Sequence, residues 1–250
     1  MAVKICRLFD MERLDKILVS QGIGSRKEVR ELIKNGEVCV NGEIIRKADF
    51  KADAENSSIT VKGQAVNYSK HIYIMLNKPS GVVSATNDNH DKTVIDILPE
   101  EYKRKGLFPA GRLDKDTEGL LIITDDGDFA HKMLSPKNHV EKKYIAKLDK
   151  DITEDTIKEF ENGIVFADGT KCMPAKLEIV PDSDNKKGIV TICEGKFHQV
   201  KKMFLCCGIN VVHLQRISIG NLYLDSKLPI GSCKLLTKLD KELIFIGNIH

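Results

Sequence analysis

Residues 111–127 read GRLDKDTEGLLIITDDG. A polar turn carrying Arg112, Asp114, Asp116 and Thr117 runs directly into the apolar stretch 120–123. That stretch is short and is bounded by Gly119 and by Asp125-Asp126-Gly127, the pattern of a buried strand. A carboxylate and a guanidinium are therefore held on a loop against a rigid element, where catalytic and binding groups commonly sit. Four residues of GRLD would also suit a tight turn with solvated charges. Asp116 and Glu118 are expected to shape this loop and stay solvated, and Asp125 to Asp128 to form a hairpin-like turn.

Two other segments bring chemistry-bearing residues into elements. Glu141-Lys142-Lys143-Tyr144 opens a predicted strand; a tyrosine beside lysines is either packed or available to stack on a base. The string 194–203, EGKFHQVKKM, joins a strand to a helix on which Val200, Met203 and Phe204 face the core. Lys201 is left on the other side.

The elements around these segments follow from periodicity. Strand patterns occur at 72–76, 120–123, 144–148, 177–180, 189–193 and 211–214, and helical patterns at 129–134, 153–162 and 198–207. Without a regular βαβ repeat, this predicts an α+β fold with a mostly antiparallel sheet. The first sixty residues form a separate unit. Leu14, Ile17 and Leu18 mark one helix face. Ser25 to Glu28 is a capping box opening a second helix with Val29, Leu32 and Ile33 inward. Lys27, Arg30 and Lys34 share its outer face. Asn41-Gly42 predicts a hairpin turn. The expected organisation is a small domain over 11–66, a linker over 67–71 and a larger domain over 72–250, with no role for residues 1–10.

Composition narrows the class. Of 250 residues, 42% are hydrophobic, and 39 basic against 36 acidic residues leave a net charge of +3. Nucleic-acid binding must then rest on where the cations lie. No apolar run approaches the roughly 18 residues that span a bilayer, and the first residues lack the h-region of a signal peptide. No CxxC pair occurs among the seven cysteines, which suggests reduced thiols and a cytoplasmic setting. Neither GxGxxG nor a Walker loop is present, and the histidines lack paired ligand spacing, so neither a cofactor nor a metal is expected.

The string 111–127 resembles the catalytic motif of pseudouridine synthases of the RsuA/RluB/RluE/RluF family, and LNKPSGVVS at 76–84 resembles that family's first motif. The resemblance covers roughly residues 11–239. It implies that Asp114 is the nucleophile, that Tyr144 packs on the target uracil, and that Lys201 lies against the catalytic carboxylate at a position where many relatives carry arginine. Arg112 would help keep Asp114 ionised or fill the gap left by a flipped base. Residues 13–42 resemble the S4 RNA-binding domain, which implies RNA contacts through Arg13, Lys16, Ser25, Arg26, Lys27 and Arg30, with Lys34 on the same helix. HQVKKM and the stretch 124–144 resemble the RsuA type. The implied activity is isomerisation of one uridine in 16S ribosomal RNA within a small-subunit assembly intermediate, by a monomer without membrane association. Two alternatives are a 23S-directed enzyme of the same class and a non-catalytic S4-type assembly protein.

Overall fold

Leu14, Ile17, Leu18, Val29 and Ile33 are all fully buried. Each is worth about 1.5–3 kcal/mol relative to exposure, enough to fix two short helices that would be marginal alone. They belong to α1 (Leu14–Ser20) and α2 (Arg26–Asn35). The computed structural model describes residues 11–54, 56–66 and 68–246. The extension 1–10, the start of the predicted linker at Asn67 and the final residues 247–250 of the predicted larger domain lie outside the described residues.

The capping box of α2 is present: the Glu28 amide donates to Ser25 Oγ at 3.3 Å, and the Ser25 amide donates to Glu28 Oε2 at 2.7 Å. Gly36 ends the helix at φ 78°. A Cβ there would lie 2.7 Å from the Arg46 guanidinium. Before α1, β1 (Met11–Arg13) pairs antiparallel with β4 (Lys51–Asp53). A four-stranded antiparallel sheet has the order β3-β2-β5-β6, formed by β2 (Val38–Val40), β3 (Glu43–Ile44), β5 (Ile59–Val61) and β6 (Gln64–Ala65). Asn41 (φ 52°) and Gly42 (φ 85°) make its first hairpin turn, as their types predict, and Lys62-Gly63 makes a second. Residues 99–105 pack with this unit although they fall within the span 72–250. Arg104 donates there to the Ser69 and Lys70 carbonyls.

The second unit is built on a nine-stranded sheet whose main path is β11-β12-β10-β13-β9-β7-β15. Its strands are β7 (Tyr73–Lys78), β8 (Phe108–Ala110), β9 (Glu118–Thr124), β10 (Lys142–Leu148), β11 (Lys176–Ile179), β12 (Lys187–Ile192), β13 (Val211–Ile219), β14 (Leu222–Tyr223) and β15 (Cys233–Leu235). Only the β13–β9 pairing is parallel, so the sheet is mostly antiparallel, as predicted. From Gly119 onward β9 is buried on both faces, which explains its unbroken apolar run. Helices α3 (Gly127–Leu134), α4 (Glu154–Asn162), α5 (Gln199–Cys206) and α6 (Lys238–Leu243) complete the unit.

Asp125 to Asp128 is not a hairpin turn. Asp126 caps α3 by accepting from the Phe129 amide at 3.0 Å and also accepts from Tyr73 Oη at 2.6 Å, while Asp125 accepts from the Ile72 amide. Asp126 satisfies a helix-terminal donor and Asp125 an amide at the entry to β7, stronger demands than turn geometry.

Candidate active site and cationic cleft

The loop 111–117 is clamped from below by the segment 76–84. Lys78 is fully buried at the end of β7 and donates to three carbonyls: Thr117 at 2.9 Å, Pro79 at 3.0 Å and Lys115 at 3.2 Å. Gly81, at φ 86°, donates its amide to the Lys115 carbonyl at 2.8 Å. Ser84 Oγ donates to the Leu113 carbonyl at 2.8 Å and accepts from the Leu113 amide at 3.0 Å. Within the loop, the Thr117 amide closes a turn on the Asp114 carbonyl. Three residues of LNKPSGVVS, Lys78, Gly81 and Ser84, thus fix the loop that presents Asp114. Burial pushes the Lys78 ammonium down to about 8, against the pull of Asp116, Asp114 and Glu118.

Asp114 is one-quarter exposed and faces α5. Lys201 Nζ lies 3.2 Å from Asp114 Oδ2 and 2.5 Å from Asp116 Oδ1. Burial opposes the charge of Lys201, but its bonds to Asp116 and Asp114 hold its pKa above the ordinary lysine value. The same bond to Lys201 holds Asp116 below the usual carboxylate range. His198 Nε2 stands 3.5 Å from Asp114 Oδ1. Asp116 is thus paired, and Glu118 is drawn in to His213 at 2.9 Å with only 17% of its side chain exposed. Asp116 keeps 71% of its side chain in solvent, as expected from the sequence, whereas Glu118 is drawn out of solvent; each also has a basic partner from an element distant in the chain.

Lys201 takes the predicted place because Val200, Met203 and Phe204 turn the other face of α5 into the core. Arg112 does not join it. The side chain is exposed and makes no hydrogen bond or ion pair among the described residues, so the charge partner of Asp114 is Lys201 rather than Arg112. Tyr144 lies on the buried face of β10 and is tied to Arg216 of β13. The Arg216 guanidinium donates to Tyr144 Oη at 3.4 Å, sits 5.9 Å from the ring centroid and donates through Nε to the Leu120 carbonyl at 2.7 Å. Arg216 thereby joins the tyrosine strand to β9, the strand that begins at the end of the Asp114 loop. At the crossing, Gly119 (φ 101°) approaches so closely that a Cβ would meet the Arg216 carbonyl oxygen at 2.2 Å.

Lys78, His198 and Arg216 are the residues that sequence reasoning missed. Lys78 and His198 lie inside the strings 76–84 and 198–203 already read from the sequence, and Arg216 left a signal as a charge in phase with Leu214 on one strand face. Lys142, two residues before Tyr144, is also buried, and its ammonium has no hydrogen-bond partner among the described residues. Burial and the nearby Arg216 push it down to about 8. No three His, Cys, Asp or Glu side chains converge as metal ligands among the described residues. No described helix is long and apolar enough to cross a membrane.

In the first unit, Arg13, Lys16, Arg26 and Arg30 line an open cleft of about 270 Å³ around Asp15. Asp15 is buried and accepts from Arg13 (2.9 and 3.0 Å) and Arg30 (3.3 Å). The Arg13 bond chiefly holds its carboxyl below the usual range, against burial. Lys16 pairs with Glu12. Lys27 and Lys34 are exposed on α2 but do not line this cleft, and the Ser25 hydroxyl is engaged as the helix cap.

The larger unit thus carries a clamped carboxylate paired with a lysine on a mixed sheet, and the small unit carries a cationic cleft of the kind that suits a polyanion. The model of the family described as RNA pseudouridylate synthase matches residues 72–205, that of the S4 domain matches residues 12–57, and the chain belongs to the RNA pseudouridylate synthase family. It is 45% identical over 233 residues to the Bacillus subtilis (strain 168) protein named uncharacterized RNA pseudouridine synthase YtzG, covering 93% of this chain and 98% of the relative. It is 39% identical over 229 residues to ribosomal small subunit pseudouridine synthase A of Escherichia coli (strain K12), covering 90% and 96%. A solved structure titled as a pseudouridylate synthase superposes with a TM-score of 0.65 at 33% identity, covering 93% of this chain and 99% of that one.

Proposed function

We propose that this chain converts one uridine of 16S ribosomal RNA to pseudouridine, with Asp114 as the nucleophile. The observation that carries the assignment of Asp114 is its ion pair with Lys201 at 3.2 Å on a loop clamped by Lys78, Gly81 and Ser84. In the reaction the N1–C1′ bond breaks, the uracil rotates and C5 bonds to C1′, while the C5 proton is lost and N1 regains one. The overall change is an isomerisation and needs no group donor. The base must first leave its stack, at a cost of about a few kcal/mol. Lys201 orients and balances Asp114, Tyr144 packs on the uracil, and Arg112, exposed and unpaired, fills the gap that the base leaves. Arg13, Lys16, Arg26 and Arg30 take phosphates of folded RNA; Lys27 and Lys34 add long-range attraction.

The small-subunit substrate is supported by the 39% identity to a ribosomal small subunit pseudouridine synthase along nearly the whole chain and by the HQVKKM string. The domains run over 11–66 and 72–250, the protein works in the cytoplasm as a monomer, and its substrate is a partly assembled small subunit that still lets the base flip. The test offers naked 16S RNA, naked 23S RNA and small-subunit assembly intermediates in parallel and maps pseudouridine by chemical modification and primer extension. Signal at one 16S position is expected. Signal on 23S RNA alone would overturn the substrate and leave the chemistry standing.

A further inference from the structure

Next to the carboxylate, the loop that enters α5 holds an aromatic ring out in water. Phe197 is 67% exposed. One face is stacked on the His198 imidazole, with centroids 3.8 Å apart and planes 21° from parallel. His198 in turn reaches Asp114 at 3.5 Å. Lys202 Nζ lies 5.1 Å from the Phe197 centroid and 5.5 Å from that of the buried Phe166.

The loop is rigid at both ends. The Lys196 amide donates to Gln199 Oε1 at 2.8 Å, Gln199 Nε2 donates to Glu194 Oε1 at 2.8 Å, and the same oxygen accepts from the Met173 amide. Glu194 and Gln199 are buried. His198 holds a left-handed conformation (φ 53°) that non-glycine residues seldom adopt. A ring fixed by such a frame and kept out of the core is preorganised for a flat partner.

We propose that Phe197, backed by His198, is a stacking platform for a nucleobase adjacent to the target uridine. The inference rests on the reading of Asp114 as the site of uridine isomerisation. Flipping the uridine strips its neighbours of a stacking partner, and an aromatic ring one residue from the group that touches Asp114 replaces it. The Lys202 ammonium over the ring swings aside as the base stacks and takes the phosphate of that neighbouring nucleotide. Stacking on a bare phenyl ring tolerates any base, so the platform contributes affinity and register rather than hydrogen-bonded sequence readout.

The test uses full-length protein and the RNA that the unmodified enzyme converts. In an Asp114→Asn background, 2-aminopurine is placed one nucleotide to either side of the target. Binding should quench the probe on one side; adding Phe197→Ala should abolish that quench, while Phe197→Tyr and Phe197→Trp should keep it. With Asp114 intact, Phe197→Ala should lower kcat/KM roughly 5- to 150-fold, the range for one lost base stack, without changing the logarithmic salt slope. Retention of the quench in Phe197→Ala would overturn the platform. So would an equal loss of activity in Phe197→Trp, which would make the ring a packing element. Absence of quench on both sides with Phe197 intact, in an RNA that the unmodified enzyme converts, would overturn the platform and leave the isomerase reading standing.

Discussion

The two units organise charge in opposite ways. In the small unit, four cations gather around one buried carboxylate, Asp15; in the large unit, the carboxylates of Asp114, Asp116 and Glu118 gather around basic groups, with Lys78 buried beneath them. The cleft keeps a surplus of positive charge on long, largely exposed side chains: Arg13 and Arg30 are 49% and 58% exposed even while paired. Such groups follow a phosphate backbone at little cost in geometry. In the large unit Asp114 and Asp116 are matched to Lys201 and Glu118 to His213, and the loop is fixed by hydrogen bonds from Lys78, Gly81 and Ser84. Attraction to RNA tolerates looseness, whereas bond making at one carbon requires a group held to a fraction of an ångström.

Replacing the carboxylate itself breaks the contrast most severely. Asp114→Asn keeps the shape and removes the nucleophile. Turnover should fall on the order of 10⁴-fold or more, while RNA affinity stays within about twofold because the cleft supplies the phosphate contacts. Measurable pseudouridine from the purified variant would remove Asp114 from the mechanism. Lys201→Met should cost roughly 10²- to 10³-fold in kcat, as losing one charge-stabilising donor does, and Lys201→Arg should recover most of it. A Lys201→Met enzyme with unaltered kcat would show that Asp114 needs no fixed cation.

Lys78 couples the loop to pH. Its folded-state value of about 8 lies below its ordinary 10.5. As pH rises through about 8 the ammonium loses a donor to the loop carbonyls, so kcat/KM should fall. Stability should move the other way. Between about 8 and 10.5 the unfolded chain binds more protons than the folded one, so the unfolding free energy rises with pH in that window. Lys142 titrates in the same range and has the same sign. In Lys142→Met the activity limb near pH 8 should remain; a limb that vanished would assign it to Lys142.

In the cleft the effect is smaller and of another kind. Arg13→Gln combined with Arg26→Gln and Arg30→Gln should weaken RNA binding and make the logarithmic salt slope shallower by about 0.7–0.9 per lost phosphate contact. An unchanged slope would refute the cleft as a phosphate site. The smallest effect falls on stability. Lys142→Met replaces a buried cation that lacks a hydrogen-bond partner with an apolar side chain of similar length. It should stabilise the protein by about 1–3 kcal/mol at pH 7 and flatten the rise between pH 8 and 10.5, which denaturant melts would read.

What the sequence disclosed was local. The α2 capping box, the Asn41-Gly42 turn, the apolar run of β9 and the outward placement of Lys201 on α5 each depend on residues within a few positions of one another. Charged residues whose environment comes from far along the chain were not legible. Lys78 looks like a turn lysine until the carbonyls of Lys115 and Thr117 enclose it, and Arg216 bonds Leu120, 96 residues away. The same distance effect hid the partners of Asp116 and Glu118. The short strands β8, β14 and β15 have too few residues to show a period of two, and the docking of residues 99–105 with the small unit leaves no trace in composition.

If this chain modifies a single uridine of the small ribosomal subunit through Asp114, a map of every pseudouridine in ribosomal RNA will show it in three cell lines: one with the gene, one without it, and one carrying only Asp114→Asn. One 16S position should be modified in the first and unmodified in the other two, with all 23S positions unchanged. A 16S pattern identical in all three would contradict it.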